Sequence, residues 1–224
     1  MNSIISQLAR ELNIKEWQVQ NTVNLIDDGN TIPFIARYRK EVTGGLDDVL
    51  LRDLHDGLTY LRNLESRRQE VTRLIEEQGK LSAELLSKIQ GAQTVTELED
   101  LYRPFRPKRR TRATVAKEKG LEPLAATLWE QPLEGDVESW ALPFLDPEKE
   151  LNTIEEALQG AMDIIAESVS DDADLRKAIR VLTTRKGVVR VSGATDEVSE
   201  FQMYYDFSEP VARIAPHRVL AINR

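Results

Sequence analysis

Apolar residues recur at helical spacing over most of the chain, and the longest uninterrupted pattern covers residues 46–78. This stretch contains no proline and only one glycine, Gly57. A period of 3.6 residues without helix breakers predicts one long helix, which would measure about 50 Å at 1.5 Å per residue. Its expected inward positions are Leu50, Leu51, Leu54, Leu58, Leu61, Leu64, Val71, Leu74 and Ile75.

Two shorter helices are predicted before it, over residues 4–12 and from residue 14 to the Gly29-Asn30 stop. Two short helices around a tight break resemble a helix-turn-helix, although an ordinary antiparallel helix pair has the same spacing. Base edges could be contacted from the second helix only by Lys15, Gln18 and Gln20. The inward positions expected for the second helix are Trp17, Val19, Val23, Leu25 and Ile26.

Prolines and glycines divide the rest of the chain into shorter elements. Pro104 and Pro107 predict an extended stretch over residues 103–110, and Thr111 is placed to cap a following helix. Two helices are expected over residues 153–169 and 172–186. Residues 188–191 could form a short extended piece, and the last residues one or two short helices. The predicted fold class is therefore all-α, a multi-helix bundle around one long central helix.

The segment 132–148 is the weakest part of the pattern, because three prolines and a glycine interrupt it. We therefore predict a linker there. On this division residues 1–131 form an N-terminal helical domain that contains the basic segment 103–119, and residues 149–224 form a second helical subdomain.

Charge is distributed unevenly in a chain that is acidic as a whole, with a net charge of −8 and a pI of about 5.0. Between Arg103 and Lys119 there are eight basic residues and one acid, Glu118. Such a separation of charge often marks a contact site. The absence of cysteine excludes disulfides and thiolate metal sites. The first residues lack the pattern of a signal peptide, and no apolar run is long enough to span a bilayer, so we expect a cytoplasmic protein without membrane contact.

The basic segment is the candidate nucleic-acid site. Arginine can clamp a phosphate with two parallel hydrogen bonds, and aromatic rings can stack on unpaired bases. Tyr102 and Phe105 are the candidates for stacking. A second basic patch comprises Arg37, Arg39 and Lys40. The candidates for phosphate contact are Arg103, Arg106, Lys108, Arg109, Arg110, Arg112 and Lys117.

Other uses of the same cations remain open. They could pair with acidic residues of this chain or dock another domain, and residues 104–107 also match a PxxP ligand. The acids considered as partners are Asp171, Asp172, Asp174, Glu155 and Glu156.

Catalytic motifs are missing from the sequence, so we predict no enzyme, no cofactor and no metal. His55 lies within the long predicted helix, and His217 lies near the end of the chain. There is no serine elbow and no glycine-rich phosphate loop. Glu97, Glu99 and Asp100 form an acidic cluster, but Glu97 and Glu99 would diverge on a helix.

Three segments resemble the N-terminal region of the Tex family of bacterial transcription accessory proteins. They are IPFIARYRKEVTGGLDD at residues 32–48, ELEDLYRPFRPKRRTRATVAKEKGLEPLA at 97–125, and YYDFSEPVARIAPHRVLAINR at 204–224. Arg103 stands where the family commonly has an apolar residue, and APHR replaces the commoner PSHR.

The resemblance implies a larger protein that binds RNA or DNA without sequence specificity and works with the transcription machinery. Family members continue into RNase H-like, helix-hairpin-helix and OB-fold domains, and the OB-fold is expected to supply most of the affinity. This chain stops before them, so we interpret it as a fragment whose other partners are those domains. On that interpretation the apolar residues 211–222 should be poorly covered.

Overall fold

In the computed structural model, residues 2–193 and 199–223 are described, and they fold into two units, Met1–Leu98 and Glu99–Arg224. Thirteen α-helices and one two-stranded sheet are found among the described residues, so the predicted all-α class is confirmed. None of the described helices combines the length and apolar character that a membrane span requires.

The N-terminal unit is built around one long helix, as predicted. Its helices are α1 (Asn2–Glu11), α2 (Glu16–Asp27), α3 (Ile32–Tyr38), α4 (Lys40–Thr43), α5 (Asp48–Glu77) and α6 (Ala83–Gly91). Asp47 caps α5 by accepting a hydrogen bond from the amide of Leu50 at 2.8 Å. The helix α7 (Val95–Tyr102) begins in this unit and ends in the next.

The core of the N-terminal unit lies between α5 and the first three helices. Each Val, Leu or Ile side chain buried there contributes about 1.5–3 kcal/mol. The glycine in α5 has a packing role, since a Cβ at Gly57 would lie 2.7 Å from Cδ2 of Leu8 on α1. The fully or nearly buried residues are Ile5, Leu8, Ala9, Val19, Val23, Ile35, Leu46, Leu51, Leu54, Leu58 and Leu61.

One inward position predicted for α2 is wrong. Trp17 is 48% exposed, because its ring lies over the backbone at Gly44 on the surface of the unit instead of entering the core. Gly44 has a φ of 67°, which favours glycine, and a Cβ there would lie 2.4 Å from the Trp17 ring.

Among its described residues, the C-terminal unit contains six complete α-helices and one antiparallel pair of strands. The helices are α8 (Arg112–Glu118), α9 (Glu122–Glu130), α10 (Val137–Ala141), α11 (Ile154–Asp171), α12 (Ala173–Lys186) and α13 (Pro216–Ile222). Strands β1 (Val188–Ser192) and β2 (Asp206–Pro210) pair antiparallel, with Arg190 opposite Ser208. The extended piece predicted near residue 188 is confirmed, whereas short helices were expected where β2 lies.

The core of this unit is formed by α8, α9, α10 and α11. The segment 132–148 contributes to it, since α10 lies within that segment and Ala141 is fully buried. The boundary between the two units falls between residues 98 and 99 of the chain, and the sequence-based division into domains at 132–148 stays a prediction. The buried core residues are Ala113, Ala116, Leu121, Leu124, Ala125, Ala141, Leu151, Ala157, Ala161 and Ile164.

The end of the chain has little cover. None of the described residues in 172–193 and 199–223 is buried, and Leu220 on α13 is 70% exposed. Of the apolar residues 211–222 predicted to be poorly covered, Val219 and Leu220 are exposed, whereas Val211, Ile214 and Ile222 are half-buried.

Candidate nucleic-acid interface

The basic segment, residues 103–112, begins where α7 ends. A short 3-10 helix, Arg103–Phe105, continues the helix, and the amide of Arg106 donates to the carbonyl oxygen of Tyr102 at 3.1 Å. The extended stretch was therefore predicted to begin three residues too early, because Pro104 is tolerated in the first turn of a helix. Residues 106–110 form neither helix nor strand, and Thr111 caps α8 as predicted.

Asp171, the last residue of α11, holds two cations of the segment. Nε of Arg103 donates to one carboxylate oxygen of Asp171 at 2.8 Å, and Nζ of Lys108 contacts the other. Lys108 also lies 3.4 Å from a carboxylate oxygen of Glu167. The Asp171 side chain is only 10% exposed, so these pairs are shielded from water more than ordinary surface pairs. Pairing within the chain thus accounts for Arg103 and Lys108.

Two of the other acids considered as ion-pair partners of the basic segment instead cap helices. Asp172 caps α12 by accepting a hydrogen bond from the amide of Leu175 at 2.7 Å. Glu156 and Thr153 form a capping box at the start of α11. Their carboxylates therefore stabilise helix N-termini, where negative charge is favourable.

Arg106, Arg109 and Arg112 are exposed and have no carboxylate partner among residues 2–193 and 199–223. Two further cations of the region have weak pairs. Arg110 lies 2.8 Å from Glu118 with its side chain 70% exposed, and Lys117 lies 3.9 Å from Glu122. Exposed pairs of this kind contribute about 0–1 kcal/mol, so a phosphate could replace the carboxylate.

A cleft of about 370 Å³ separates the basic segment from the end of α11. Four cations and two acids line it, so its local charge is positive. The lining residues are Arg103, Arg106, Lys108, Arg109, Thr111, Glu167, Ser170 and Asp171.

Of the two rings predicted to stack on bases, that of Tyr102 is not accessible to solvent. Only 5% of this residue is exposed, because position 102 lies on the inward side of α7. Phe105 is half-buried. Stacking by Tyr102 would therefore require the helix end to open, and the prediction for this residue is corrected.

The second basic patch lies on a different surface, at the end of α3 and the start of α4. Arg37, Arg39 and Lys40 are all exposed, and the Arg39 guanidinium lies 5.2 Å from the centre of the Phe34 ring. Tyr38, which the sequence pattern did not single out, is exposed between them. In α2, by contrast, Gln18 donates to the carbonyl oxygens of Thr43 and Gly44, so it is engaged in packing and not presented to base edges.

Asp100, one of the three residues of the acidic cluster, forms ion pairs with two arginines. Asp100 accepts hydrogen bonds from Nε of Arg176 at 2.6 Å and from Arg180, both on α12. Burial alone would raise the pKa of Asp100, but the hydrogen bonds and charges of the two arginines outweigh it and hold the pKa below its ordinary value. Within the described residues, no three His, Asp or Glu side chains are arranged to hold a metal.

Two family models match this chain: the Tex-like protein N-terminal domain over residues 2–76 and the Tex central region over residues 134–224. The chain belongs to the Tex family. The basic segment lies between the two matched regions of this Tex-family chain.

Three relatives align across that gap as well. Protein tex of Bordetella pertussis is 46% identical over 99% of the chain, and the transcriptional accessory protein Tex of Neisseria gonorrhoeae is 45% identical over 97%. Human S1 RNA-binding domain-containing protein 1 is 32% identical over 99%. The chain spans 28%, 29% and 23% of the length of these proteins, respectively.

Proposed function

We propose that this Tex-family region is a non-catalytic scaffold that contacts nucleic-acid phosphates through Arg106, Arg109 and Arg112. One observation carries the proposal: these three arginines are exposed and lack a carboxylate partner among the described residues, whereas Arg103 and Lys108 of the same segment are anchored to Asp171. The anchored cations position the segment, and the free guanidinium groups are available to a ligand.

Phosphate is the ligand that suits this arrangement. A guanidinium group donates two parallel hydrogen bonds to phosphate oxygens, and its charge does not depend on pH near neutrality. Contacts to phosphate carry no base information, so binding should be independent of sequence and should weaken as salt rises. An acidic chain of net charge −8 can bind in this way only through a local positive surface.

The names of the relatives support the same class of function. One is named a transcriptional accessory protein, and another is named for an S1 RNA-binding domain. In the longer proteins we propose that this region works beside other domains, with RNA or DNA and the transcription machinery as partners. A cytoplasmic location stays a prediction.

The test is a fluorescence-anisotropy titration of single-stranded and duplex oligonucleotides at low salt and at ~0.15 M salt. Changing Arg106, Arg109 and Arg112 together to alanine should remove three phosphate contacts. The slope of log affinity against log salt should then become less steep by about 2–3 units for duplex DNA, because each contact contributes about 0.9.

A charge-matched variant controls for the loss of three positive charges. Arg52, Arg73 and Lys88 are exposed, and each pairs with an acid four residues away in its own helix, so their replacement by alanine should leave the salt slope unchanged. Circular dichroism is used to check that both variants fold before their affinities are compared. An equal decrease in affinity and salt slope in the two variants would contradict a specific phosphate site at Arg106, Arg109 and Arg112.

One observation favours a second candidate function, a protein-interaction domain without nucleic-acid contacts. The pairs formed by Arg103 and Lys108 with Asp171 use part of the basic segment for packing within the chain. If the unchanged chain binds no oligonucleotide even at low salt, this alternative is preferred.

A further inference from the structure

An exposed tyrosine ends α3 in the N-terminal unit. Tyr38 is 56% exposed, and one side of its ring packs against Phe34, with the ring centres 5.3 Å apart and the planes tilted by 47°. Phe34 in turn contacts the guanidinium group of Arg39, whose carbon lies 5.2 Å from the ring centre. The tyrosine ring is therefore supported on one side and accessible to solvent elsewhere.

Three basic residues next to Tyr38 in sequence lack a carboxylate partner in the described part of the chain. Arg37, Arg39 and Lys40 have no such partner among residues 2–193 and 199–223. On α5 and α6 of the same unit, six basic residues are paired with acids of the unit, namely Arg52, Arg62, Arg67, Arg68, Arg73 and Lys88. The pattern of ion pairs thus leaves three cations next to the one exposed tyrosine of α3.

We infer that Tyr38 stacks on an unpaired base of single-stranded nucleic acid while Arg37, Arg39 and Lys40 contact the flanking phosphates. An accessible aromatic ring beside several cations is the combination by which proteins bind single strands without sequence preference. In a duplex the base faces are covered by their neighbours, so the ring gains nothing there. An acidic protein could pair with the three cations, but that interaction would not require an accessible aromatic ring.

This inference rests on the proposed function in that both require nucleic-acid binding. It adds a contact to bases and a preference for single strands, which phosphate contacts alone do not produce. It also assigns the base contact to residues of the N-terminal unit and not to the basic segment.

The test compares two strands of about 12 nucleotides by fluorescence anisotropy with the whole chain, one strand bearing bases and the other abasic throughout. Tyr38→Ala should weaken binding to the base-bearing strand about fivefold or more and leave binding to the abasic strand unchanged. Tyr38→Phe keeps the aromatic face and should bind like the unchanged chain.

Tyr60→Ala is the matched control, because Tyr60 is a 43% exposed tyrosine of the same unit on α5, and it should not alter either affinity. If Tyr38→Ala weakens binding to both strands equally, or to neither, the proposed contact of Tyr38 with a base is wrong. Phosphate binding by Arg106, Arg109 and Arg112 can still hold in that case. If the unchanged chain binds neither strand, both this inference and the proposed function are wrong. Circular dichroism is used to check that each variant folds before its affinity is measured.

Discussion

Replacement of Asp100 by alanine is expected to lower the free energy of unfolding by about 2–3 kcal/mol. The Asp100 side chain is 7% exposed and accepts hydrogen bonds from both Arg176 and Arg180, which attach α12 to the end of α7. Without the carboxylate the two guanidinium groups lose their partner, although their partial exposure lets water compensate some of the loss. Urea denaturation followed by circular dichroism measures the change.

The comparison variant is Asp27→Ala. Asp27 also forms two hydrogen bonds with an arginine, Arg62, at 2.7 and 2.8 Å, but both side chains are about 40% exposed. An exposed pair contributes about 1 kcal/mol or less, so the free energy of unfolding should fall less in Asp27→Ala than in Asp100→Ala. Equal losses would show that burial does not govern the contribution of Asp100.

The ion pairs of Asp100 with Arg176 and Arg180 also predict that stability depends on pH. Since the pKa of Asp100 is lowered in the folded chain, its stabilisation is complete above its unfolded pKa of about 3.9 and is lost as the pH falls through the lower folded value. Asp100→Asn removes this titration. Its free energy of unfolding should therefore fall less steeply below about pH 4 than that of the unchanged chain.

Gly160→Leu should lower the free energy of unfolding by about 3 kcal/mol, because α11 packs on α8 at this glycine without space for a side chain. A Cβ at Gly160 would lie 2.4 Å from Cδ1 of Leu121 and 3.3 Å from Cβ of Ala116. Both neighbours are buried, so they cannot move into solvent. The better helix propensity of leucine, about 0.8 kcal/mol, offsets only part of the strain.

Gly91→Leu is the matched control at a helical glycine. Gly91 ends α6, and no atom lies within 4 Å of a Cβ built there. This variant should be neutral or slightly stabilising in the same urea titration. A comparable loss in both variants would indicate that the leucine side chain itself, and not close packing at Gly160, causes the change.

The long helix and its buried face were predictable because they depend on short-range periodicity. Leu51, Leu54 and Leu58 repeat at the helical period, and any neighbour that covers one of them covers the others. Trp17 shows the limit of this argument. It occupies an apolar position of α2, but the nearby backbone at Gly44 gives its ring a place on the surface.

The strand β2 shows a second limit. Its sequence, DFSEP, is polar and ends in proline, so it has little intrinsic tendency to form a strand. It is extended because it pairs with β1, where Val191 lies opposite Phe207. A pairing partner distant in sequence cannot be inferred from the local pattern alone.

The candidate site was found from charge density, yet charge density could not divide its cations into anchored and available groups. Arg103 and Lys108 are engaged by Asp171, which lies 68 and 63 residues away in sequence. Arg106 and Arg109 are residues of the same type on the same segment, but no acid among the described residues reaches them. The two stacking candidates were likewise not distinguishable from the sequence, since Tyr102 is buried and Phe105 is half-buried, while the exposed ring of Tyr38 had not been singled out.

The sequence by itself determined the helical class, the long helix, the family and the position of the basic segment. These properties follow from spacing and composition within short stretches of chain. The tertiary structure alone decided which arginines keep an available guanidinium group and which tyrosine presents its ring. These depend on contacts between residues far apart in sequence, where burial and ion pairing are set by the packing of helices.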